Sequence, residues 1–332
     1  MKRFVAVVLA LVLTLVCAGC SSQTSTSTSS PSASQPASPA ASPEAAGSEQ
    51  DTQEYTIGVS LMTLEHVFFQ QIRDGLETAA QQLGVKLNIM DASSKVDLQY
   101  TQVQDFITQK VDAIIIAPVS ASGTSTMIEL AEEAGIPVFS IDTRSDGEVI
   151  SHIATDNYTG GRFAGQWVME NLLPDGGKMV IVSMPGSESC IMRESGFTDY
   201  LTENGSKIEI LGSQTGNGDA GTALSVMQDF ITLYGDEIDA VFSVTDGMAI
   251  GAMSAIQDAN LDISIIGFGA NPQGCAAIAE GGVFKASVRQ DPDAISYTAL
   301  ECIVKHLKGE SLENEYLIPP MVVDATNVAD YL

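Results

Sequence analysis

The residues best suited to hold a ligand are polar and aromatic side chains at the ends of short apolar runs. Thr63, Glu65, His66, Phe68 and Phe69 follow the first run, Asp142-Thr143-Arg144 follows the fourth, Arg193 opens a predicted helix, and Asp246 and Gln290 each end a later run. A phenyl ring can lie against the apolar face of a sugar, while carboxylates, amides and a guanidinium fork satisfy its hydroxyls. The same residue types also serve as core anchors, turn residues and helix caps. Chemistry alone leaves both readings open at each position.

Other chemistry finds little support. His66, His152 and His306 are far apart and never at ligand spacing, so no catalytic metal is expected. There is no GxSxG, no P-loop lysine motif and no Cys–His nucleophile arrangement. Gly216-Asn217-Gly218-Asp219-Ala220-Gly221 fits GxGxxG, and Asp246 follows it. It lies in the second strand–helix unit of a second α/β run, where glycines for a tight turn account for it. No cofactor and no enzymatic activity are expected.

The elements that must position these residues alternate between strand and helix. Apolar runs at Tyr55–Leu61, Lys86–Met90, Ala113–Val119, Val138–Ile141 and Ser151–Ala154 read as strands, with helices at Phe69–Leu83, Leu98–Thr108 and Thr124–Ala134. The pattern then restarts, with strands at Met179–Ser183, Ile208–Gly212, Ala240–Val244, Ile263–Gly267 and Lys285–Val288. Helices near Arg193–Asn204, Ala220–Tyr234, Met248–Ala259 and Pro272–Ala279 separate them, and a helix at Ala294–Lys308 and a strand at Met321–Asp324 finish the chain. Continuous apolar strands with helical crossovers predict parallel sheets covered on both faces. The expected fold is α/β, two similar doubly wound lobes whose carboxyl strand edges face across a cleft.

Lys2 and Arg3 followed by the apolar run Phe4–Val16 read as a secretory signal, too short to span a bilayer. The run ends in Cys17-Ala18-Gly19-Cys20, which resembles a bacterial lipobox with Cys20 as the acylated residue; Cys17 stands where a leucine is usual, and plain secretion is the alternative. Residues 21–50 are almost wholly Ser, Thr, Pro, Ala and Gln, a composition that cannot offset its chain entropy by burial. Such a tether, taken to residue 54, spans on the order of 30 Å as a coil. Without residues 1–20 the chain carries 13 basic and 42 acidic residues, a net charge of −29. That field opposes phosphate backbones, so nucleic acid is not an expected partner. Cys190, Cys275 and Cys302 make no disulfide framework and are expected as buried free thiols.

Over about Tyr55–Val323 the chain resembles the ribose-type periplasmic binding proteins of sugar ABC transporters. The resemblance rests on Val67-Phe68-Phe69 with Asp74-Gly75; Ile141-Asp142; Ser151 to Asn157; Arg193 with Gly196-Phe197; Phe242 with Asp246; Ile266-Gly267-Phe268; and Gln290-Asp291-Pro292, in that order. It implies that Phe68, Phe69 and Phe268 sandwich the ring, Asp142 accepts from hydroxyls, Arg193 donates to oxygens and Gln290 closes the site near the hinge. It also implies three crossings, near Thr155–Asp156, Gln290–Asp291 and Pro320–Met321. The lobes would then comprise 55–155 with 291–320, and 156–290 with 321–332.

Departures from that family bear on the ligand. Its carboxylate after the Gly-Phe pair is Gly269 here, its asparagine before Asp246 is Thr245, and its Asp-Arg pair has become Asp142-Thr143-Arg144. His66 replaces an asparagine and Gly218 an aromatic, with Asn217 or Asn271 placed to compensate. The resemblance thus implies a lipid-anchored, monomeric receptor that delivers a neutral monosaccharide or polyol other than ribose to an ABC permease. Alternatives are signalling to a membrane sensor kinase or chemoreceptor, and transport of a non-sugar solute.

Overall fold

The computed structural model describes residues 54–332. The expected signal segment, Cys20 and nearly all of the tether lie outside the described residues.

In chain order the elements are β1 (Thr56–Leu61), α1 (Val67–Leu83), β2 (Lys86–Asp91), α2 (Val96–Gln109), β3 (Ala113–Ile116), α3 (Ser125–Glu133), β4 (Val138–Ile141) and β5 (Ser151–Thr155). There follow α4 (Asn157–Trp167), β6 (Gly177–Ser183), α5 (Glu188–Glu203), β7 (Ile208–Thr215), α6 (Ala220–Tyr234), β8 (Ala240–Ser243) and α7 (Asp246–Asp258). The chain ends with β9 (Ser264–Gly269), α8 (Pro272–Ala279), β10 (Phe284–Arg289), α9 (Pro292–Leu307), β11 (Glu315–Ile318) and β12 (Met321–Asp324).

Two six-stranded sheets result, ordered β11-β5-β4-β3-β1-β2 and β12-β10-β9-β8-β6-β7. Every pairing is parallel except β12 against β10. Within each sheet the strand order reverses between the first and third strands, the switch point at which doubly wound folds take ligands. β3, β4 and β8 are buried at every residue, as strands covered by helices on both faces must be. In the first sheet the ring of Phe106 packs directly on Gly58, where any Cβ would collide with it. α1 stops at Gly84, whose φ of 70° turns the chain left-handed into β2.

The chain passes between the sheets three times. It leaves β5 into α4, which packs on α5 beside the second sheet. It returns from β10 into α9, which packs on α1, and crosses last between β11 and β12. Two of these elements escape the sequence reading. α4 carries Gly160-Gly161 in its middle, a pair that ordinarily weakens a helix. β11 is a four-residue edge strand with only intermediate and exposed positions. Conversely, the strand expected over Ala113–Val119 ends at Ile116, just ahead of Pro118. The three body cysteines are free and buried.

Candidate functional site

α5 brings Arg193 to the carboxyl edge of the second sheet, 4% exposed. Behind it, Phe197 stacks on Phe242 of β8 with ring centres 4.4 Å apart, pinning the helix to the sheet. Nε donates to Asn157 Oδ1 at 2.8 Å, Nη1 to the Val244 carbonyl at 3.0 Å and Nη2 to Gln290 Oε1 at 3.0 Å. The guanidinium carbon also lies 4.0 Å from the centre of the Phe268 ring. A buried cation persists only with such partners. Three of the five guanidinium N–H donors are engaged, so two are left for a ligand.

Asp142 enters from the other lobe, just past β4. Its φ is 62°, a left-handed turn that Asp tolerates, and its N–H donates to the Ile153 carbonyl at 3.0 Å. Thr143 Oγ1 donates to Asp142 Oδ2 at 3.2 Å; among the described residues no donor reaches Oδ1. Burial pushes the Asp142 carboxyl above its ordinary value, opposed by attraction to Arg193 and by the Thr143 bond. The two lobes thus contribute a carboxylate with an unused oxygen and, within reach of its charge, a guanidinium with unused N–H groups, a combination suited to hydroxyls that both donate and accept.

The two phenylalanines opening α1 differ. Phe69 is buried in the first-lobe core, whereas Phe68 stays partly exposed, with ring centres 5.3 Å apart and edge-to-face. Only Phe68 offers a free ring at this position. Phe268, also buried, presents its face to Arg193. Thr63 is buried and accepts from the Glu65 N–H in a turn, while His66 is exposed and makes no side-chain cap bond to α1.

Four other predicted residues have engagements of their own. Asp246 is 2% exposed: Oδ1 accepts from Ser287 Oγ at 2.6 Å and Oδ2 from the Asn271 N–H at 2.9 Å. Ser287 Oγ in turn accepts from the Ala270 N–H, so Asp246 braces the 269–271 turn from within the lobe. Burial raises its carboxyl to about 6, against these bonds and Arg193. Thr245 caps α7, accepting from the Met248 N–H, and its carbonyl accepts from Ser243 Oγ. Asn217 is exposed at φ 53° and accepts from Thr215 Oγ1. Arg144 pairs with Glu315 and lies 3.9 Å from Glu188 of the other lobe, with 44% of its side chain exposed.

Asn157 and Thr155 are the contacts that the sequence reading missed. Asn157 orients Arg193 and ties its own Nδ2 to the Thr155 carbonyl, while Thr155 Oγ1 donates to Gln290 Oε1 at 3.2 Å. Their signal was the Thr-Asp-Asn run at a strand end, with Asp156 capping α4 through the Thr159 N–H. His152 is core: its Nδ1 bonds Ser140 Oγ at 2.8 Å, and burial lowers its pKa to about 4. Among the described residues no group of three His, Cys, Asp or Glu could hold a metal ion.

The periplasmic binding protein domain family matches residues 57–311. The ribose import binding protein of Bacillus subtilis is 33% identical over 268 residues, covering 80% of this chain and 86% of that protein. A myo-inositol binding protein from Caulobacter, solved with myo-inositol, superposes with a TM-score of 0.75 at 30% identity, covering 83% of this chain and 95% of that one. An ABC transporter solute-binding protein from Actinobacillus succinogenes, solved with D-allose, gives a TM-score of 0.77 at 25% identity over 84% of this chain and 100% of that one. Two parallel-sheet lobes, the family match over residues 57–311 and this breadth of similarity make the chain a member of the periplasmic binding protein family, type I.

Proposed function

We propose that the protein is an extracytoplasmic solute-binding protein that encloses a neutral monosaccharide or polyol between its lobes and delivers it to an ABC permease. The observation that carries this reading is the buried Arg193, held by Asn157, Val244 and Gln290 over the Phe268 ring with two N–H groups unused, together with the Asp142 carboxyl of the other lobe, which is near enough to feel its charge. Asp142 accepts from hydroxyls, Arg193 donates to hydroxyl and ring oxygens, Phe68 borders the ring and Phe268 backs the guanidinium. Gln290 links Arg193 to the crossing between β10 and α9, so that ligand contact and lobe closure are coupled. Relatives named for ribose import, and related proteins solved with D-allose and myo-inositol, support this substrate class. We also propose attachment to the membrane through acylated Cys20, and action as a monomer with both lobe tips free for the permease.

The test is a thermal-shift screen of the purified protein against pentoses, hexoses, polyols and sugar phosphates, with amino acids and nucleosides as controls. A ligand at 100 times its dissociation constant stabilises by about 2.7 kcal/mol, a clear rise in Tm. Asp142→Ala is expected to weaken a sugar hit by about tenfold or more. Stabilisation by an amino acid or nucleoside alone would overturn the ligand assignment.

A further inference from the structure

Beside Gln290 the structure contains a cavity of about 150 Å³ bordered by Gln71 and Asp74 of α1, Gly269 and Ala270 at the end of β9, Arg289, and Asp293 of α9. Its volume is several times the roughly 30 Å³ that a water takes up in the liquid. Gln290 is shared between this space and the Arg193 cluster. Its Oε1 accepts from Arg193, which can only donate and so fixes which end of the amide is oxygen, and also from Thr155. The Nε2 of this residue, 6% exposed on the cavity lining, therefore has no acceptor among the described residues.

The opening beside Gly269 is built into the backbone. Its φ of +132° is one that a side chain rarely adopts, so a larger residue is disfavoured there by backbone conformation, although a Cβ would meet only ordinary contacts. Asp246, bonded to Ser287 and to the Asn271 N–H, holds that turn in place. The charges around the cavity select among occupants. Asp74 is paired with Arg73 at 2.7 Å and Arg289 with Asp291 at 3.0 Å, which leaves the Asp293 carboxylate as an acceptor on the lining and disfavours an anion. A neutral hydroxyl accepts from Gln290 Nε2 and donates to a carboxylate, so it meets both requirements.

We propose that this cavity is a specificity subsite that receives a hydroxymethyl arm of the bound sugar, so that the protein selects six-carbon over five-carbon ligands. The proposal rests on the sugar-binding reading and deepens it. Gln71 is the residue that sets the depth of the subsite from the α1 side.

The test uses calorimetric titration of the purified protein with pyranose pairs that differ only by the hydroxymethyl group: D-ribose and D-allose, D-xylose and D-glucose, L-arabinose and D-galactose, D-lyxose and D-mannose. In the pair that binds, the hexose is expected to bind about tenfold or more tighter. Gln71→Phe, which fills the cavity, should bring the two Kd values to within about threefold and leave the pentose value nearly unchanged. Gln71→Leu keeps the volume but removes the polar edge, and should reduce the preference in the same direction; it serves should the Phe variant misfold. A pentose that binds as tightly as its hexose, or an unchanged preference in a folded Gln71 variant, overturns the subsite and leaves the sugar reading standing. Binding by no member of any pair overturns the subsite, and the absence of any polyol hit in the thermal-shift screen as well overturns the proposed function.

Discussion

The guanidinium carbon of Arg193 lies over the Phe268 ring, 4.0 Å from its centre, while its Nη2 donates to Gln290 Oε1 at 3.0 Å, so one side chain joins the second-lobe strand edge to a chain crossing. Arg193→Ala is therefore expected to weaken sugar binding by about tenfold or more and also to lower stability. It strands Asn157 Oδ1 and the Val244 carbonyl and leaves Gln290 Oε1 with Thr155 alone, and unsatisfied buried groups cost roughly 1–3 kcal/mol each. A sequence reading of Arg193 as a cleft residue expects lost binding with the fold untouched. Urea denaturation of the variant, alongside calorimetry, separates these expectations: an unchanged midpoint rules out the buried role.

Asp246 should make stability fall with rising pH. Its folded carboxyl is raised to about 6 by burial, against 3.8 ordinarily. Below pH 3.8 it is protonated in both states; between these values the unfolded chain ionises while the folded one keeps its proton. Stability contributed by that proton is therefore present at low pH and is lost as pH rises through 6, by about 3 kcal/mol in all. Asp246→Asn removes this slope whatever its offset. Denaturation midpoints at pH 4, 5, 6 and 7 should show the variant gaining on the wild type across the series; a constant gap contradicts the buried titration.

The contact between α4 and α5 is set by glycines, and it places Arg193 against Asn157. A Cβ on Gly196 would overlap the Tyr158 carbonyl, and one on Gly161 would overlap the Arg193 carbonyl. Gly196→Ala, conservative on an isolated helix, should thus force the helices apart, destabilise by about 2 kcal/mol and weaken ligand binding. Chemical denaturation and titration of this single variant check both effects.

Arg144 should matter far less than its position next to Asp142 suggests. Its side chain is 44% exposed and its partners are Glu315 and, at 3.9 Å, Glu188 of the opposite lobe. Exposed ion pairs contribute about 0–1 kcal/mol and are screened by salt. Arg144→Ala is expected to change the dissociation constant by no more than about threefold at physiological ionic strength, with the difference disappearing in 1 M salt. A loss of tenfold or more would return Arg144 to the ligand site.

By itself the sequence determined the architecture and the candidates. Two runs of apolar strands and amphipathic helices dictate two covered parallel sheets, and punctuation at Gly84 and Gly135 marks helix ends because a left-handed residue is needed there. Arg193, Asp142, Phe268 and Gln290 were legible because they stand at strand and helix ends in a recognisable order. Only the tertiary structure decided which of them meet, since strand-end position does not say whether a side chain faces the cleft or the lobe interior. Arg193 finds Gln290 97 residues away, whereas Asp246 turns inward to Ser287, 41 residues on. Helix α4 was invisible for the same reason: Gly160-Gly161 opposes a helix locally, and becomes favourable only because α5 and Phe268 pack where a side chain would stand.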